Sequence, residues 1–292
     1  MIEVRRRPRR IAGRCALHAR RRFGSALLAV GALLAMPAAP ALAREGVEVG
    51  PKSSFTQIVS AEQIEQAAGQ QYLQLQQQAA QRHALAPAGA PQLVRLRAIA
   101  QRIIPYTYEW NERARQWRWE VALIGSPQIN AFCMPGGKIA FYSGILERLK
   151  LSDAEVAVVM GHEMAHALRE HARERMGKTL ATRGAIELGA ALFGLGNGGR
   201  YLADMGGQLM TLRFGRDDES EADLIGMELA ARAGYDPQAA VTLWQKMAAA
   251  YQGAPPQWLS THPSGPTRIR DLEANLPKVE PLYARAAKPA SR

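Results

Sequence analysis

A mostly helical α+β fold is what this sequence predicts, on three observations. Long proline-free runs carry apolar residues at helical spacing, and one short region between residues 117 and 142 alternates like paired strands around Gly136-Gly137. Beyond residue 43, no stretch approaches the roughly 18 apolar residues of a membrane span. The chain after that point is long enough for one domain with a substantial core.

The elements follow in order. An Arg-rich start, an apolar stretch from Gly24 to Met36 and the small-x-small triplet Ala41-Leu42-Ala43 read as a secretory signal over residues 1–43, with cleavage before Arg44. Export to a bacterial periplasm is the expectation, and a mitochondrial presequence is the alternative. Arg20-Arg21-Arg22-Phe23 resembles a twin-arginine signal. Residues 44–59 read as a linker to a domain over residues 60–284, with a disordered tail at 285–292. Ser60 to Leu85 and Leu93 to Ile104 have helical spacing and flank a loop at Ala86 to Pro91. Trp117 to Ile124, Ile129 to Met134 and Lys138 to Tyr142 are expected to form a small antiparallel sheet, with the glycine pair turning the last two strands.

Ser152 caps the next helix, Glu155 completes a capping box, and Leu151 can staple against Val156. That helix is expected to run past His171. Ala185 to Phe193 leads into Gly194, Gly196, Gly198 and Gly199, which favour a flap or helical hairpin over a continuous helix. An acidic start at Asp217-Asp218-Glu219 opens a further helix, and a turn-rich stretch from Pro255 to Pro266 surrounds His262.

Charge excludes one class of partner. The pI is near 10 and the net charge +11, but nine of the 37 Lys and Arg and one of the 26 acidic residues lie before Arg44. Without them the net charge is +3 with no concentrated basic face, so nucleic-acid binding loses its support. Peripheral membrane association stays open. Cys15 leaves with the signal and Cys133 then has no partner, so no structural disulfide is expected.

The most informative run is Gly161-His162-Glu163-Met164-Ala165-His166. Residues four apart on a helix differ by about 40° around the axis, so both imidazoles can reach one metal while Glu163 points at a water on its open side. The alternative, two packing histidines, draws on only six His in the chain. Catalytic zinc usually has three protein ligands. The extended motif with Gly and His after the second ligand is excluded, because those positions are Arg169 and Ala172. His171, nine residues after His162, falls about 180° around a continuous helix and is expected to pack or face solvent. Downstream, Glu219 and Asp223 share a helical face while Glu221 points elsewhere, so one can ligate and the other orient a histidine, a duty for which Asp223 is well placed. An acidic helix start favoured by the macrodipole explains Asp217 and Asp218 without any metal.

These segments resemble one family. Asn130 to Lys138, Gly161 to Ala167, Arg216 to Asp223, and Thr261-His262-Pro263-Ser264 with Arg268-Ile269 are similar in order and spacing to the zinc metallopeptidases that include the CAAX prenyl endopeptidase, the heat-shock protease HtpX and soluble periplasmic relatives. The resemblance implies a zincin-like domain with one Zn²⁺ per chain, His162, His166 and Glu219 as ligands, Glu163 as catalytic base and Asp223 as a supporting carboxylate. Gly215 departs from the serine often found before the arginine. The resemblance also implies protein or peptide substrates bound as an added strand on a sheet edge, where Asn130 and Ala131 are the candidates, and partially unfolded envelope proteins as the substrate class. His262 is read as a donor to the developing oxyanion, carried on a flexible loop that can also close the fourth zinc position, and Arg268 as an ion-pair partner or second donor. A zinc-containing binding or chaperone-like module is the competing reading; four protein ligands would favour it.

Overall fold

The computed structural model describes residues 44–192, 213–250, 257–262 and 267–290. The signal expected at 1–43, the glycine-rich stretch at 194–199 and the turns flanking His262 at 255–256 and 263–266 lie outside the described residues. Among the described residues no helix is long and apolar enough to cross a membrane.

Two N-terminal helices, α1 (Ala61–Gln81) and α2 (Pro91–Ile103), brace a three-stranded sheet of β1 (Glu120–Ile124), β2 (Ala131–Met134) and β3 (Lys138–Tyr142). Ser60 caps α1 through Gln63 N–H, and Tyr72 donates its hydroxyl to the Ile139 carbonyl at 2.8 Å, fixing α1 to β3. Gly136 (φ 81°) and Gly137 (φ 76°) turn β2 into β3, a backbone that side-chain-bearing residues resist.

The sheet is mixed, which corrects the antiparallel expectation. Its order is β1-β3-β2, with β2 antiparallel to β3 but β1 parallel to it, Glu120 facing Lys138 and Ile124 facing Tyr142. The link from β1 to β2 crosses the end of β3 and is held there by Gly144 N–H on the Ser126 carbonyl at 2.8 Å, so β2 lands one strand further out, and β3 returns between them. β2 is therefore an edge strand.

After β3 come α3 (Ser143–Leu149), α4 (Asp153–Leu168), α5 (His171–Leu192), α6 (Arg216–Arg232), α7 (Ala239–Ala250), α8 (Gln257–Thr261) and α9 (Arg268–Arg285). α4 is the centre of the domain, buried from Glu155 to Leu168. Its capping box forms as expected: Ser152 Oγ accepts Glu155 N–H at 3.2 Å, and Glu155 Oε2 accepts Ser152 N–H at 2.8 Å. It ends earlier than expected, because Glu170 adopts φ 62° and the chain restarts as α5 at His171.

Two flanking segments also differ from expectation. Residues 44–59, expected as a linker, lie against the domain: Val47 is buried, its N–H donates to Glu228 Oε2 at 2.8 Å, and Arg44 pairs with the same carboxylate. Glu228 is fully buried, so these donors and Arg232 Nε at 2.7 Å satisfy a charge that burial would otherwise penalise. At the other end the Ala287 carbonyl, expected in a disordered tail, accepts from Arg102.

Candidate metal centre

α4 and α6 cross with their backbones in contact, and two glycines permit it. A Cβ on Gly161 would stand 2.6 Å from the Gly226 carbonyl oxygen, and one on Gly226 would stand 2.5 Å from His162 N. That approach carries Glu219 and Asp223, two turns and one turn before Gly226, up to the two histidines that follow Gly161. His162 Nε2 lies 3.1 Å from His166 Nε2, and Glu219 reaches them at 3.7 and 3.5 Å through Oε2 and Oε1. His262, at the end of α8, completes a buried group of four whose donor atoms all lie within 4.8 Å of one another.

The group fits a zinc ion on its own chemistry. Three imidazoles and one carboxylate are a zinc-type donor set, and 3.1 Å between nitrogens is near the ~3.3 Å edge of a tetrahedron drawn with zinc–nitrogen bonds. Two buried polar atoms that point into it, Glu219 Oε1 and His262 Nε2, have no hydrogen-bond partner among the described residues. The ring tautomers agree. His162 donates Nδ1–H to Asp223 Oδ1 at 3.0 Å, which leaves its Nε2 lone pair facing the group.

Burial sets the protonation states. It pushes His162 below the usual histidine range against the pull of Asp223, and, reinforced by neighbouring histidines and Arg268, it pushes His166 and His262 well below, so all three are neutral at pH 7. It also raises Glu219 to about 8, partly opposed by Arg268, and holds Glu163 well above the carboxylate range despite the Trp258 hydrogen bond. Asp223 behaves oppositely: burial would raise it, but Arg268 and His162 outweigh burial and keep it ionised.

The expected site residues fall into place unevenly. Glu163 accepts Trp258 Nε1–H at 2.6 Å and faces a cleft that Asn130, Ala131, His166 and His262 also line, so the β2 edge runs past the donor group. Arg268 does not line that cleft. Its guanidinium holds both oxygens of Asp223, lies 3.0 Å from Glu219 Oε2 and stacks on Trp244, the ion-pair role rather than a substrate contact. His262 is not on an open loop at its own position: it is buried, its N–H donates to the Trp258 carbonyl at 2.9 Å, and its ring stacks on Trp258. Asp218 takes the bland role foreseen for the acidic helix start, accepting Gly215 N–H at 2.7 Å.

Three neighbours escaped the sequence reading. Trp258 is four residues before His262, a spacing that would have paired them had α8 been recognised as helix. Phe214 stacks on His166 at 4.0 Å between centroids and has no sequence signal beyond preceding α6. His171 is buried beside His166, with the two Nδ1 atoms 2.9 Å apart, which corrects its assignment to the far side of the helix. The break at Glu170 turns it back.

Residues 93–276, more than half of the chain, match the model of peptidase family M48. The chain belongs to peptidase family M48. All four residues of the donor group, Glu163 and Asp223 lie inside the M48 match, whereas residues 44–59 and α1 precede it. Zinc is the cofactor that M48 membership and this donor set support. The chain is 41% identical to the mitochondrial metalloendopeptidase OMA1 of Arabidopsis thaliana over 54% of its own length and 32% of that protein's. It is 40% identical to the Schizosaccharomyces pombe protein of the same name over 56% of the chain and 48% of the relative. With the β-barrel assembly-enhancing protease of Escherichia coli K12 it shares 30% identity over 56% of the chain and 36% of the relative. The chain thus spans a third to a half of the length of these relatives.

Proposed function

We propose that this M48 chain is a zinc-dependent endopeptidase, with zinc held by His162, His166 and Glu219 and oriented through Asp223. The observation that carries this reading is Glu163: a buried carboxylate, held by Trp258, placed between the donor group and a cleft bordered by a sheet edge. Bound there, zinc lowers the pKa of water and polarises the scissile carbonyl. Glu163 takes the proton of the attacking water and later delivers it to the leaving amine. The raised pKa of Glu163 suits both halves of that exchange, since it holds a proton near neutral pH more readily than an ordinary carboxylate. His262 Nε2, 3.6 Å from Glu163 Oε2, donates to the developing oxyanion in the tautomer whose Nδ1 accepts from the Thr261 hydroxyl at 2.9 Å. In the other tautomer, with Nδ1–H on the Trp258 carbonyl at 3.1 Å, the same Nε2 offers a lone pair that closes the fourth position at rest in this proposal.

Substrates in this proposal are extended segments of misfolded or unassembled envelope proteins. The β2 edge supports it, because backbone hydrogen bonds hold an added strand whatever its side chains. The name of the Escherichia coli relative supports an envelope setting, and the names of the eukaryotic relatives support mitochondria as the alternative location. N-terminal sequencing of the protein from its native compartment tests export: a chain beginning at Arg44 is expected, and an intact Met1 on active protein overturns it.

The four donors also suit a non-catalytic zinc module. Zinc-loaded protein incubated with unfolded casein decides between them. Cleavage that is lost in Glu163→Gln supports the peptidase, and no cleavage at any zinc loading supports the module. Trapping bound proteins on Glu163→Gln in the native compartment then identifies the substrates.

A further inference from the structure

We propose that His171 is a positioning residue for His166, acting through a relay that ends on Glu221. His166 Nδ1 lies 2.9 Å from His171 Nδ1, and His171 Nε2 lies 3.3 Å from Glu221 Oε2. Glu221 is fixed in turn by Arg169, whose Nε donates to it at 2.7 Å and whose Nη2 donates to the Gly50 carbonyl at 2.6 Å. The inference rests on the ligand role proposed for His166.

Counting hydrogens gives the direction of the relay. Two ring nitrogens at 2.9 Å share one hydrogen, so one donates and the other accepts. A ligating His166 offers its Nε2 lone pair to the metal and must carry its hydrogen on Nδ1. His171 Nδ1 is then the acceptor. A neutral His171 that accepts through Nδ1 carries its own hydrogen on Nε2, which faces the Glu221 carboxylate. Each ring is left with a single tautomer.

The two helical histidines are thereby oriented in different ways. His162 donates directly to a carboxylate, Asp223, whereas His166 reaches its carboxylate only through a second imidazole. His171 is 3% exposed, so water is poorly placed to replace it as acceptor. The stack of Phe214 on the His166 ring limits tilt but supplies no acceptor. The arrangement depends on the left-handed backbone at Glu170, which ends α4 and starts α5 at His171.

Chelator competition on purified protein, read as the zinc dissociation constant, tests the relay with three variants. His171→Leu is expected to weaken zinc about 10–100-fold, the usual effect of losing an outer partner of a ligand. His171→Asn, whose side-chain oxygen can accept where Nδ1 did, is expected to recover most of that loss. Equal affinity in His171→Leu and the parent, or no recovery in His171→Asn, overturns the relay. Long-range ¹H–¹⁵N histidine spectra of the unmutated zinc-loaded protein give a reading that needs no variant. The Nε2–H tautomer is expected at His171, and a hydrogen on its Nδ1 overturns the relay. His166→Ala separates the two levels: unchanged zinc affinity there removes the ligand assignment itself, whereas a loss there with none in His171→Leu removes only the relay.

Discussion

Trp258 donates its indole hydrogen to Glu163 Oε1 at 2.6 Å inside the domain, and this leaves Oε2 on the side of His262. Glu163→Gln keeps an oxygen for Trp258 but cannot take a proton from water. Zinc content is expected to match the parent while proteolysis falls at least about 10²-fold. Metal analysis beside a casein assay checks it, and normal turnover would sink the mechanism.

The same bond favours the ionised form of Glu163, against burial that disfavours it. Trp258→Phe removes the donor, so the pKa of Glu163 rises further. A base works only above its pKa, so the acidic limb of kcat/KM is expected to move to higher pH. A pH–rate profile with an unmoved acidic limb would count against Glu163 as the group that titrates.

Glu219 holds a proton up to about pH 8 in the zinc-free protein, while the histidines beside it are neutral at pH 7. Zinc must displace that proton, so binding at pH 7 is expected to release about one proton and to tighten as pH rises toward 8. Calorimetry in buffers of different ionisation enthalpy reads the number directly. Glu219→Ala is expected to bind zinc more weakly and to release no such proton.

Gly226→Ala puts a methyl group 2.5 Å from a backbone nitrogen of α4, an atom that cannot rotate away. A stability loss of about 1–3 kcal/mol and a lower zinc content are expected. Gly69→Ala on α1, where nothing lies within 4 Å, is the contrast and is expected to stabilise by about 0.5–1 kcal/mol. Urea unfolding of the zinc-free variants measures both.

His262→Ala removes the proposed oxyanion donor and the fourth member of the donor group together. Zinc is expected to stay, because three donors remain, and kcat to fall about 10²-fold with a smaller change in KM. Undiminished kcat would remove the donor role, leaving only the block at rest to His262.

How much the sequence revealed depends on the range of the interactions. Ser152 with Glu155, Ser60 before α1 and the Gly136-Gly137 turn are local signals and each marks an element where it occurs. His162 with His166, and Glu219 with Asp223, were legible as pairs because helical spacing puts each pair on one face, whereas the separate roles given to Glu219 and Asp223 came from the family resemblance. The parallel pairing of β1 with β3 was not, since register across a six-residue link is decided by what the strands pack against. Nor was the end of α4: Arg169-Glu170 contains neither glycine nor proline, and its break hid His171. The packing of Val47 on Glu228 could not be seen from either residue alone.

That last contact joins positions 181 apart in sequence. Residues 44–50 precede Glu228, which holds their N-terminal end, by most of the described chain, and His262 follows later still. Loops of that length close late, because the entropy of bringing distant segments together is spent before the contact returns anything. The segment at 44–50 thus finds its seat only once α6 is in place to offer Glu228. The donor group is spread in the same way, from His162 to His262, so a chain in which α6 and α8 have not yet reached α4 has no assembled centre.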